Sequence, residues 1–474
     1  MTDTTVDQRA NSLAIVAHVA DRLAWYAFAI LIVTSPMSAR LNLWARPVDL
    51  VAPSYTDFNL PGTYVGMIGI LGLWIVSLAC RRRPVDVGPR FIWIPVVGLL
   101  IVSAAGVPGS IDPALAAFNV ARLLVVVGLG AYVVNEIDGF ERLAVPIMLM
   151  IGLEAVIGIS QVVLQRSLGL SWLAEPRLAV GASNSSVVGA ADGSRWLRAY
   201  GLTSHPNILG GIVAFAMLLL AGTQSVTRPA RLVRLAVLGF GAVLLFLTFT
   251  RGAWLGFGAG LLVALVMLAV RGDRTGLRQW ASAAAITAVV GAVLAVPFAA
   301  QLGARATITG PVATESRSID ERIALMHSTL PVVTDHALLG TGLGLLPLVI
   351  AEREPDYAFA YQPVHFVPLL AAAETGLIGL LCYLVLAVAP WLALIRIRVW
   401  WTRSLAWTSA ALAAVTVVGM FDFYTWGPTA GRTWAWIVLG LWVVAYRGAV
   451  GRRVPDTSAT DTSATGAAAT LAPR

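Results

Sequence analysis

The sequence predicts an all-α polytopic membrane protein of about twelve transmembrane helices, with one long extracytoplasmic loop that contains short helices. Three observations predict it. Of 474 residues, 58% are hydrophobic and only 12% charged, against about 25% charged in soluble domains. Apolar runs of about 20 residues, the length a span needs, recur along the chain. The arginines between those runs fall on one side when the N-terminus is placed in the cytoplasm.

The runs lie at roughly 16–37, 63–80, 91–107, 115–134, 143–164, 206–222, 235–250, 252–270, 281–300, 364–390, 405–421 and 433–447. Arg81, Arg82, Arg83 and Arg90 sit between the second and third, and Arg228, Arg231 and Arg234 between the sixth and seventh. Arg271, Arg274 and Arg278 follow the eighth; Arg396, Arg398 and Arg403 follow the tenth; Arg447, Arg452 and Arg453 follow the twelfth. All are cytoplasmic in one orientation, which puts both termini inside. The expected organisation is a cytoplasmic segment at 1–15, helices one to nine at 16–300, an extracytoplasmic loop at 301–363, helices ten to twelve at 364–447, and a disordered cytoplasmic tail at 448–474, rich in Ser, Thr and Ala.

The net charge is +8 and every basic residue is arginine. The basic clusters are short and adjoin spans, so topology explains them and no nucleic-acid partner is expected. The planar fork of arginine holds two phosphate oxygens at once. Cys80 and Cys382 both fall in spans and offer no disulfide framework or metal knuckle. The polar N-terminus followed by a full-length span does not read as a cleavable signal peptide.

The stretch YQPVHFVPLLAAAETGLIGLL, residues 361–381, places His365 at the mouth of a span. An interfacial histidine titrates near neutral pH and can act as a base; it also suits a plain hydrogen bond to a loop. Below it, Ala372, Gly376 and Gly379 lie near one helix face, where a neighbouring helix can approach closely. Three outer connections are long: Ala39–Gly62, Gln165–His205 and Gln301–Pro363. In the last, Asp320 and Glu321 open an apolar-periodic run at Ser318–Val333, which reads as an external helix on the membrane surface. A Gly-rich turn, LLGTGLGLLP, follows.

The other candidate chemistry lies on the same face. RWLRAYGLTSHPN brings Arg195, Arg198 and His205 to the entrance of the sixth span. Arg251, in TFTRGAWLG, stands at an abrupt junction between two spans, where an arginine costs a few kcal/mol and calls for an anionic partner. The external segment carries Glu321, Arg322, His327, Asp335 and His336. Each has a plainer reading: Arg195 and Arg198 as lipid head-group anchors, Arg251 as a snorkelling arginine, Glu321 and Arg322 as a solvated pair. Together, arginines and a histidine at one membrane face suit a diphosphate, with Arg198, Arg251 and Arg322 gripping it, His365 as base, and Arg195, His205, Glu321, Asp335 and His336 in support. No Asp-x-Asp pair of the kind that holds Mg²⁺ stands out, so no metal or other cofactor is expected. Within spans, Arg122 and Glu374 are singled out at similar depths, roughly 10 and 13 Å, and are expected to share an ion-pair network.

These stretches resemble the O-antigen ligase and Wzy-type polymerase family of bacterial envelope glycosyltransferases, over roughly residues 195–380. The family pattern of histidine, a polar residue, nine residues, glycine, two residues and a small residue is met by His365, Gly376 and Gly379, with Phe366 at the polar position. Arg322–Met326, RAYGLTSHPN, TFTRGAW and TDHALLGTGLG resemble its other recurring stretches, with Ala337 where proline is usual. The resemblance implies a GT-C-like fold in the cytoplasmic (inner) membrane. It implies a donor glycan on a polyprenyl diphosphate, a glycan or glycolipid acceptor, and inverting transfer without metal or nucleotide sugar. The rival class is a transporter or flippase for lipid-linked saccharides, which calls for polar groups through the whole membrane or a paired repeat; neither is seen.

Overall fold

The computed structural model describes residues 3–182, 185–190, 193–306, 313–398 and 401–451. The chain runs α1 (Asp3–Thr34), β1 (Arg40–Trp44), α2 (Pro53–Thr56), β2 (Phe58–Pro61), α3 (Gly62–Arg81), α4 (Arg90–Ala105), α5 (Pro113–Glu136), α6 (Ala144–Leu164), β3 (Val187–Gly189), β4 (Arg195–Leu197), α7 (Pro206–Gly222), α8 (Arg228–Leu247), α9 (Arg251–Arg271), α10 (Arg274–Ala295), α11 (Ala299–Ala306), α12 (Ala313–Asp335), α13 (Leu346–Arg353), α14 (Val367–Arg396), α15 (Arg403–Gly419) and α16 (Ala430–Gly451). The strands form two small antiparallel pairs, β1 with β2 and β3 with β4. The expected tail from Pro455, with Arg452 and Arg453, lies outside the described residues.

Each of the twelve apolar runs has become a helix. Among the described residues, nine helices are long and apolar enough to cross a membrane; Arg90–Ala105, Pro206–Gly222 and Arg403–Gly419 are apolar but shorter. At 1.5 Å per residue the shorter ones reach about 24–26 Å, less than the ~30 Å hydrocarbon core. The protein is a multi-pass membrane protein.

Local sequence sets the helix starts. Asp112, Thr227, Asp273 and Thr402 each accept a backbone N–H of the following first turn, which satisfies a donor the helix itself leaves orphaned. Pro113 and Pro206 occupy first-turn positions, where no N–H is needed. α7 lies at the centre, buried along nearly its whole length. Around it α9 packs along α15, α1 along α3, and α14 along α4.

α14 corrects one expectation. It is broken at Gly376, where φ is 67° and ψ is −175°, a backbone region open essentially to glycine alone. What approaches there is the Gly-rich turn, not a helix. Leu377 N donates to Ala337 O at 2.7 Å, Thr341 N to Ala373 O at 2.9 Å and Gly342 N to Glu374 O at 3.1 Å. A Cβ on Gly376 would stand 2.1 Å from Leu338 O, and one on Gly340 2.3 Å from the Glu374 carbonyl carbon. The turn thus satisfies the backbone groups that the break frees. Gly379 lies against Val102 of α4, as a small residue at a helix contact should.

Helix ends sort into two groups. The end of α1 and the starts of α3, α5, α7, α14 and α16 surround one cavity. The α5–α6, α7–α8, α9–α10 and α14–α15 connections meet at the opposite end, where Asp138, Gln224, Arg271, Asp273 and Arg403 line a shared hollow. Described members of the arginine clusters, among them Arg83, Arg271, Arg403 and Arg447, are at that opposite end.

Candidate active site

The cavity holds about 350 Å³ and is lined by a mixture of polar and apolar side chains from segments far apart in sequence. Its rim carries His205, Asn207, Gln362, His365 and Asp422. Farther along the lining, on its floor, lie Asn119 and Arg122 of α5, Glu374 of α14, Trp426 of the α15–α16 connection and Arg432 in the first turn of α16.

His365 is half-buried just before the first turn of α14. Its ring stands edge-on to Phe423 at 5.1 Å, and Nδ1 has no hydrogen-bond partner. Burial pushes its pKa down to about 4; the Asp422 charge opposes this and the Arg322 charge adds to it. The imidazole is therefore neutral at pH 7, as a base must be. His205 caps α7, its Nδ1 accepting Asn207 N at 3.1 Å. Burial, then the Arg198 charge, pushes its pKa down to about 3. That nitrogen is committed to the cap, which marks His205 as a residue that positions the rim.

Asp422, missed by sequence reasoning, is the carboxylate nearest both imidazoles by its electrostatic effect. It is 7% exposed. Oδ2 accepts Asn207 Nδ2 at 2.6 Å and Oδ1 accepts Phe423 N at 2.9 Å. The only signal for it in the sequence is an acid in the short MFDFYTWGP connection, which resembles any loop aspartate.

The expected phosphate-gripping arginines are spread around this centre. Arg198 is 5% exposed. Nε donates to Thr248 O at 2.6 Å, Nη1 to Ser186 Oγ at 2.8 Å, and Nη2 to Asn207 Oδ1 at 2.7 Å and Thr250 Oγ1 at 3.0 Å. It braces the tight α8–α9 turn, where Phe249 takes φ 47°, against the entrance of α7. Arg251 opens α9 directly after that turn, and its neighbour Gly252 abuts Phe421 of the Asp422 loop. Arg322, on α12, is close enough for its charge to act on both histidines. Glu321 accepts Gln362 Nε2 at 2.8 Å, tying α12 to the rim. Arg195 is exposed on β4. Asp335 pairs with Arg353 at 2.6 Å, and that hydrogen bond holds its carboxyl below the usual range. His336 is exposed in the turn after α12.

The expected Arg122–Glu374 pair is not formed. Arg122 Nη1 donates to Asn59 O at 3.0 Å, Nη2 bonds Asn119 Oδ1, and the guanidinium lies 4.7 Å over the Phe118 ring. Glu374 Oε2 accepts Trp426 Nε1 at 2.8 Å. The β1–β2 hairpin and the α15–α16 loop supply neutral partners that span spacing alone does not reveal. Sequence reasoning also passed over Glu154, fully buried within α6. It accepts Leu202 N at 2.9 Å, while Gln161 Oε1 accepts Gly201 N at 2.9 Å, so α6 anchors the loop that leads to His205.

Residues 235–384, about a third of the chain, match the family model described as O-antigen ligase. Over this stretch the chain is similar to the O-antigen ligase family. A comparison with curated proteins gives no match. The matched stretch runs from α8 into α14 and contains Arg251, Arg322, His365, Glu374 and the Gly376 break. It supports a membrane glycosyltransferase-like role and implies lipid-linked glycan and acceptor substrates. His205, Asp422 and Arg432 come from outside it, so the cavity is completed by the flanking helices.

Proposed function

We propose that the protein is a metal-independent inverting glycosyltransferase, an O-antigen ligase or polysaccharide polymerase. It moves a glycan from a polyprenyl-diphosphate donor to an acceptor hydroxyl at the outer face of the cytoplasmic membrane. The observation that carries this reading is His365: neutral, with Nδ1 unpartnered, on the wall of a cavity at the end of the bundle away from the arginine clusters. In this reading the termini and the opposite end are cytoplasmic, which the positive-inside rule supports.

In this reading the acceptor hydroxyl loses its proton to His365 as its oxygen attacks the anomeric carbon. The bond from that carbon to the phosphate oxygen breaks, and polyprenyl diphosphate leaves with the electron pair. Arg251 and Arg322 stabilise the charge on the leaving group, while Arg198 holds the α8–α9 turn and Asn207 in place. An anionic donor near His365 raises its proton affinity, so donor binding itself strengthens the base. The Gly-rich turn docked on α14 closes one wall and limits water, which would otherwise hydrolyse the donor.

The test is purified protein in proteoliposomes with a polyprenyl-diphosphate glycan and acceptor, with chelator present. The expected result is elongated or ligated acceptor together with free polyprenyl diphosphate. Movement of the lipid between leaflets without its release would instead identify a flippase.

A further inference from the structure

Below the histidines, the cavity floor holds two guanidinium groups for which the transfer chemistry has given no use. Arg122 is 5% exposed and Arg432 3% exposed. Their hydrogen-bond partners are neutral: Asn59 O and Asn119 Oδ1 for Arg122, Tyr64 OH and Trp426 O for Arg432. Among the described residues, neither forms an ion pair with a carboxylate. Glu374 shares the floor but is held by the Trp426 indole. Arg122 Nε, Thr63 Oγ1 and Tyr424 OH are all buried without a partner on the same lining. Two buried cations whose hydrogen-bond partners are neutral, with Glu374 the carboxyl on which the Arg432 charge acts, are costly, and the orphaned polar atoms beside them call for a further polar ligand.

A second, apolar hollow of about 120 Å³ adjoins this floor. It runs between α4, α5, α14, α15 and α16, with Leu99, Leu386, Leu412, Val415 and Leu439 on its walls. Leu343, Trp426 and Arg432 line both spaces, so a guanidinium stands where a polar chamber meets an apolar groove. That junction suits an amphiphile with an anionic head and an apolar tail.

We propose that Arg122 and Arg432 bind the lipid-bearing phosphate of the donor, and that its isoprenoid tail leaves through the groove between α14, α15 and α16. This rests on the donor class proposed above. It divides the work: the floor arginines take the phosphate next to the lipid, and the rim handles the phosphate next to the sugar. The glycan then faces His365, and the tail points away from it.

The experiment measures binding, not turnover, on the purified full-length protein. The probes are a long-chain polyprenyl diphosphate without glycan, inorganic diphosphate, and phosphatidylglycerol. Arg432→Gln and Arg122→Gln should each weaken polyprenyl diphosphate binding by roughly tenfold or more, the loss of a charge-assisted hydrogen bond. Because Arg432 also braces Tyr64 and Trp426, its variant can fail to fold. Ala435→Trp and Ala387→Trp then carry the test, since both residues are half-buried on the groove wall. They should weaken the long-chain probe and leave inorganic diphosphate binding unchanged. Folded variants that all bind the long-chain probe as the wild type does would overturn the proposal. So would phosphatidylglycerol competing as well as polyprenyl diphosphate, which would mark an ordinary head-group site. Wild-type protein that binds the probe but transfers no glycan counts against the function proposed above and supports this inference.

Discussion

Arginine behaves differently at the two ends of the helix bundle. Away from the cavity, several guanidinium groups meet carboxylates: Arg83 with Glu136 at 2.7 Å, Arg447 with Asp86 at 2.8 Å, and Arg403 with both oxygens of Asp273 at 2.8 and 2.7 Å; buried Arg234 instead donates to the Ala221 and Thr223 carbonyls. At the cavity end, the buried guanidiniums of Arg122 and Arg432 bond, among the described residues, to carbonyls, a hydroxyl and a side-chain amide. The ion pairs near that end, Arg46–Asp112 and Arg353–Asp335, are not in the cavity lining. One end pairs several of its guanidiniums with carboxylates. The other keeps positive charge in a partly closed, low-dielectric space, where it acts most strongly on an anionic ligand.

The comparison can be broken in order of expected effect. Arg198→Ala removes four hydrogen bonds and leaves buried acceptors, so it should cost about 3 kcal/mol or more of stability, read as a fall in thermal midpoint. A variant as stable as the wild type would show that Arg198 is not a brace.

The next effect is in the pH profile. His365 is depressed to about 4, against about 6.5 for a free histidine. Its neutral form is favoured on folding, so that contribution is full above the unfolded pKa and lost as pH falls through the folded one. kcat/KM for transfer, which reports the free enzyme, should stay flat through pH 6.5 and fall only well below it. Asp422 raises the His365 pKa, so Asp422→Asn should move the acid limb to lower pH. A limb centred near 6.5 would contradict the buried, neutral imidazole.

The smallest effect is expected at the other end. Arg403→Ala should cost about 1 kcal/mol or less at neutral pH, as partly exposed pairs do. The Arg403 hydrogen bond lowers the Asp273 pKa. Its contribution is therefore present above the unfolded carboxylate pKa and lost as pH falls through the folded value. Stability curves of wild type and variant should converge in acid; curves that stay parallel would point to packing instead.

The helices and their order were legible because apolar length and arginine placement are local signals. The position of His365 at the mouth of a span and the need for a small residue at Gly376 were legible too, although the sequence alone suggested a helix approaching Gly376 where a turn does. Asp422 and Arg432 were not legible, since their meaning arises only when the α15–α16 connection folds over α14 and α3. Arg198 looked like a ligand group because its acceptors, Ser186, Asn207, Thr248 and Thr250, lie on separate segments that no spacing rule brings together. For the same reason Arg122 and Glu374, at matching depths, each found other partners.

The most direct measurement is single-turnover transfer by His365→Asn at saturating donor, alongside donor affinity. The rate should fall by about 10²–10⁴-fold with affinity nearly unchanged. A rate within a few-fold of wild type would remove the imidazole from the chemistry and contradict the account.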